Sequence, residues 1–166
     1  PSWTRSPSIE DRVKRLMALV GVIALLAGCC VAKTDGPGVK ALLWSDGEAL
    51  PCEQADSLAQ SALELLQTAD DEARLIVSPD LIDSLRASGT ALEIIWPDTL
   101  TVTLPFGVKD SLERVLIPLK GEYASDGASA LILFGTNNYG TPALLNSAAA
   151  DKLARIGRLL ETENLN

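Results

Sequence analysis

Four apolar stretches follow one another between residues 90 and 135, and no gap between them is long enough for a crossover helix. They are "TALEIIW" (90–96), "LTVTLPF" (100–106), "LERVLIPL" (112–119) and "SALILFG" (129–135). In the second, Leu100, Val102 and Leu104 alternate with Thr101 and Thr103, the period-two pattern of a half-buried strand. In the third, Val115, Ile117 and Leu119 share a face, and Pro118 marks an edge or a bulge. Parallel strands need a connection of about a dozen residues or more. These connections are shorter, so the strands are expected to pair antiparallel as hairpins.

Helical patterning flanks this block. Residues 53–69 place Ala55, Leu58, Ala59, Ala62, Leu65, Leu66 and Ala69 on one stripe. Pro51 stands before it, and Glu53 and Asp56 favour its positive end. The run "DDE" at 70–72 reads as its solvated close; three carboxylates there could hold a hard cation, but no calcium-loop spacing accompanies them. Ser78 and Pro79 supply an N-cap and first position for a short helix over 79–88, with Leu81, Ile82 and Leu85 inward. "VKALLWSDG" (39–47) reads as a first strand ending in an Asp-Gly turn. Asn146 or Ser147 caps a last helix with Ala149, Leu153, Ile156 and Leu160 inward. The order β-α-α-β-β-β-β-α predicts an α+β fold, an antiparallel sheet of about four to five strands with helices packed on one face.

The chain is uneven in charge. Residues 1–28 carry Arg5, Arg12, Lys14 and Arg15 against Glu10 and Asp11, whereas residues 29–166 carry ten Lys and Arg against twenty Asp and Glu. Nucleic-acid surfaces need clustered cations, so no nucleic-acid partner is expected. No histidine occurs anywhere, which removes Ser-His-Asp and Cys-His catalysis and the commonest zinc ligand. No metal and no cofactor are expected.

Residues 16–28, "LMALVGVIALLAG", are uncharged and follow Arg12, Lys14 and Arg15, the layout of a signal peptide. Leu26-Ala27-Gly28-Cys29 resembles the lipobox of bacterial lipoprotein precursors. The resemblance covers residues 12–29 only. It implies cleavage between Gly28 and Cys29 and a diacylglyceryl thioether on Cys29, which becomes an acylated N-terminus. With Cys30 rather than aspartate next, it also implies passage to the outer membrane in a two-membrane cell. Two other readings of the run remain open: an uncleaved anchor extending through Ala32, or cleavage after Cys30-Val31-Ala32. The expected organisation is a signal segment (1–28), a tether (29–38) and one globular domain (39–166). The expected location is the bacterial cell envelope, with the domain outside the cytoplasm and the membrane engaged through the lipid.

For the domain, the residues favour a non-catalytic binding or scaffold module with an envelope protein or glycan as partner. An envelope enzyme acting on glycan would need two carboxylates across a cleft. Glu93 is one candidate, but in its strand it reads as an outward residue on the open face. Cys30 and Cys52 can pair in an oxidising compartment, or Cys52 can be a small buried hydrophobe. Trp44 and Trp96 read as core. The most site-like stretch is "FGTNNYGTP" (134–142), where Asn137, Asn138 and Tyr139 can hydrogen-bond a ligand beside the last helix. The acidic balance favours a neutral ligand there.

Overall fold

The computed structural model describes residues 38–87, 89–124, 127–140 and 142–163. Gly28, Cys29 and Cys30 lie outside them, so the cleavage site, the lipid attachment and the partner offered to Cys52 do too. Among the described residues no helix is long and apolar enough to cross a membrane.

β1 (Lys40–Ser45) and β2 (Glu48–Pro51) form a hairpin closed by Asp46 and Gly47. Both turn residues have positive φ, 51° and 86°. A two-residue turn of that hand matches the twist of the strands it joins, which is why Asp-Gly stands there. α1 (Ala55–Gln67) follows, then β3 (Asp71–Ala73) and α2 (Pro79–Ala87). β4 (Thr90–Thr103) is one long strand, and a 3₁₀ turn at Pro105–Gly107 leads to β5 (Lys109–Lys120). β6 (Ala130–Gly135), β7 (Ala143–Asn146) and α3 (Ala150–Glu163) complete the order.

All seven strands join one antiparallel sheet in the order β2-β1-β4-β5-β6-β7-β3. The class is the α+β antiparallel sheet that the sequence implies, with more strands than expected. The last two residues of "DDE" open an edge strand and do not close a helix: Asp71 and Glu72 pair with Leu145 and Leu144. Pro97-Asp98 is not a turn between two strands. It lies in a bulge inside β4, where Ile95 faces Arg114 and Leu100 already faces Leu112. Pro118 sits where the β4–β5 register slips and beyond the last β5–β6 pair, so its missing N–H breaks no ladder there.

The main core lies on one face, under α1 and α3. Leu58, Leu65 and Leu66 of α1 and Ile156 of α3 meet Leu92, Ile94, Val115, Ile117, Ile132 and Trp96. Cys52 is buried in this cluster. Neither Asn146 nor Ser147 caps α3, which begins later, at Ala150. Asn146 is buried and turns to the end of α1, donating to Leu65 O (3.0 Å) and Thr68 Oγ1 (2.9 Å). Ser147 donates from both N–H and hydroxyl to Asp70, and these bonds hold the Asp70 carboxyl below its ordinary range.

α2 departs from the one-sided packing: it covers the opposite face. Its Ile82 and Leu85 meet Ala91, Leu116, Leu131, Leu133 and Ala143, the alternate residues of β4, β5, β6 and β7. Ser78 Oγ accepts from Leu81 N–H at 3.2 Å, the expected cap. The far end of α2 is closed by the β1–β2 turn, where Gly47 N–H donates to Arg86 O at 3.0 Å. The turn therefore anchors Arg86 beside β1.

Candidate functional site

Strand parity decides what lies beneath α2. Opposed residues of antiparallel strands share a face. Trp44 faces Ala91, Ile95 faces Arg114, and Arg114 faces Gly135. Glu93, two residues from Ala91 and from Ile95, falls on the same side. Trp44, Glu93 and Arg114 therefore project from three adjacent strands toward α2, which brings Arg86.

Tyr139 reaches the same place through a tight reversal after β6. Gly140 N–H donates to Phe134 O at 2.9 Å, and Tyr139 bridges back to Gly135. A Cβ at Gly135 would overlap the Asn138 carbonyl oxygen, so glycine is what lets the chain return this closely.

Glu93 is the centre of the cluster. It is not an outward residue: α2 covers the face that the alternation left open, and Glu93 is 1% exposed. Trp44 Nε1–H donates to its Oε2 at 2.7 Å, and Tyr139 O–H donates to Oε1 at 2.6 Å. Arg86 Nη2 donates to both oxygens, at 2.8 and 3.0 Å. The Arg86 guanidinium also lies over the Trp44 ring at 4.7 Å, a cation–π contact. Burial and then the Glu93 charge and hydrogen bond push the Tyr139 hydroxyl well above the ordinary phenol value, so it stays a neutral donor.

Arg114 is less committed. Its Nη1 stands 4.0 Å from Glu93 Oε1, beyond hydrogen-bond range, and its guanidinium lies over the Tyr139 ring at 5.7 Å. The Nε atoms of Arg86 and Arg114 are both buried with no acceptor among the described residues. A buried polar group in that condition costs on the order of 1–3 kcal/mol. Both arginines line a cavity of about 330 Å³, with Val77, Pro79 and Ile82 as an apolar wall and Asn138 and Tyr139 opposite. Asp83, mostly exposed, is at the rim, 3.9 Å from Arg86 Nη1.

The three loop candidates are thus divided. Asn138 and Tyr139 line this cavity, beside α2 rather than the last helix, while Asn137 is not part of the lining; both asparagines are exposed. The Tyr139 hydroxyl is spent on Glu93. Trp96 is core, as its sequence context suggests, whereas Trp44 is half-buried and serves the carboxylate. Arg86 and Arg114 were not singled out by sequence. The available signal was "ALEIIW", apolar at both parities, which means a strand covered on both faces and so a glutamate inside. Among the described residues no three Cys, Asp or Glu converge as a metal site. The chain matches no known protein family, no curated protein and no solved structure.

Proposed function

We propose that this chain is a lipid-anchored cell-envelope protein whose folded domain is a non-catalytic binding module, with its ligand site in the cavity between α2, β5 and Tyr139. The carrying observation is that cavity: two arginines and an apolar wall converge on a space of small-molecule size, about 330 Å³. Glu93 supports a binding role over glycan hydrolysis. Both its oxygens already accept from Trp44, Arg86 and Tyr139, so it is built as a counter-ion whose oxygens are taken up within the fold and not turned to a substrate. The anchor rests on the Leu26–Cys29 resemblance, and several acyl chains would hold the domain at a membrane where one holds only marginally. The partner that the anchored module meets is a component of the envelope, whether protein, glycan or small molecule. Growth with labelled palmitate tests the anchor. Wild type takes up label and Cys29→Ala does not; label that survives the substitution refutes it. For the cavity, Ile82→Trp fills the apolar wall. A folded variant that binds as wild type does refutes the site.

A further inference from the structure

Resting on that cavity as the ligand site, we propose that it takes a small monocarboxylate, an acid group carried on a short apolar body. The charge count within the cluster sets the sign. Arg86 and Arg114 bring two positive charges against Glu93, and Asp83 at the rim is mostly exposed. Glu93 is used up by Arg86, Trp44 and Tyr139. Among the described residues Arg114 therefore keeps a guanidinium with no counter-ion in hydrogen-bond range; its Nε is closed off, and the Nη edge of a side chain that is 27% exposed is what it can present to a ligand. A planar guanidinium edge matches a carboxylate through two parallel N–H···O bonds, a geometry that lysine cannot offer.

Asp83 offsets Arg86 only from the rim, where its side chain is 80% exposed, so the buried part of the cluster keeps a surplus of one positive charge, which one carboxylate neutralises and a dianion overshoots. The chain as a whole reinforces that limit, because its net charge of −8 repels a polyanion. Val77, Pro79 and Ile82 then face the remainder of the ligand, so that part is apolar, and the volume keeps it short. The local field reverses what the overall charge suggested: the domain is acidic, but the buried end of this cavity is cationic.

The test uses the full chain in detergent micelles and three probes of one shape: 4-methylpentanoate, 4-methylpentanamide and isopentyl phosphate. Calorimetric titration is expected to show the carboxylate binding at least about tenfold tighter than the amide, and tighter than the phosphate. Arg114→Gln removes the preference over the amide, and Arg114→Lys, which keeps the charge without the fork, recovers only part of it. Should Arg114→Gln fail to fold, the Arg114→Lys comparison carries the test, and full wild-type preference in that variant overturns the fork. Equal binding of carboxylate and amide, both lost in Ile82→Trp, overturns the carboxylate while leaving the cavity as a site. A phosphate that binds tightest overturns it as well. If no probe binds wild type, both the carboxylate and the cavity reading fall.

Discussion

Glu93→Gln keeps the shape of the side chain and removes its charge, and the surroundings of Glu93 set the cost. In wild type the carboxylate is 1% exposed and accepts from three residues, one of them a guanidinium bonded to both oxygens. The substituted amide turns one acceptor into a donor, and at either position it meets the Arg86 guanidinium, which can only donate, as can the Trp44 indole; of the three neighbours the Tyr139 hydroxyl alone can turn to accept. Two guanidinium groups also lose their buried counter-charge. Removing one partner of a buried ion pair costs about 3–5 kcal/mol. The Arg86 and Arg114 side chains are 22% and 27% exposed, so water can solvate part of the stranded charge, and the lower end, about 3 kcal/mol, applies. At an unfolding entropy of about 2.1 cal/mol/K per residue over roughly 130 residues, this lowers Tm by about 10 °C. Glu64→Gln is the matched control. It removes the same charge from the Arg155 pair, whose side chains are about 40% exposed, and such pairs contribute below about 1 kcal/mol. The assay is thermal and urea unfolding of both variants by circular dichroism and tryptophan fluorescence. A Glu93→Gln variant no less stable than Glu64→Gln would refute the reasoning.

Two further outcomes follow from the same cluster. The raised pKa of Tyr139 means that its neutral form is favoured in the folded state, so the associated stability is present below the ordinary phenol value and drains away as pH rises through the folded one. An alkaline absorbance titration should show a phenol ionising later than a free tyrosine, and that step should vanish in Tyr139→Phe. Gly135→Ala should destabilise by about 1–3 kcal/mol, since the new methyl meets the Asn138 carbonyl, and should blue- or red-shift Trp44 emission as Tyr139 moves; unchanged unfolding and emission would mean that the reversal does not depend on a bare glycine.

The hairpin core was legible because its signals are local. Alternation at 100–104, the Asp-Gly turn at 46–47 and the short gaps between strands each bear on a few neighbouring residues. β3 and β7 escaped for the same reason in reverse. Three and four residues long, they are strands only because they pair with each other and with β6, and "DEA" alone has no strand character. The bulge at Pro97-Asp98 wrote a turn signature inside a continuous strand. Glu93 was misread through topology. Its parity was correct, but which face lies open depends on where α2 packs, and α2's own stripe says only that it packs somewhere. Arg86 and Arg114 look like surface cations in isolation, because their importance comes from residues between 44 and 139 meeting under one helix.

The binding account turns on Arg114 having donors to offer. Nitrogen-15 NMR of arginine Nε–H groups reads this directly, and the two signals of interest can be assigned with Arg86→Lys and Arg114→Lys. On titration with 4-methylpentanoate, the Arg114 Nε–H signal should move and saturate, that of Arg86 should move less, and 4-methylpentanamide should leave both in place. An Arg114 signal that stays fixed through the carboxylate titration, or that follows the amide equally, would contradict the account.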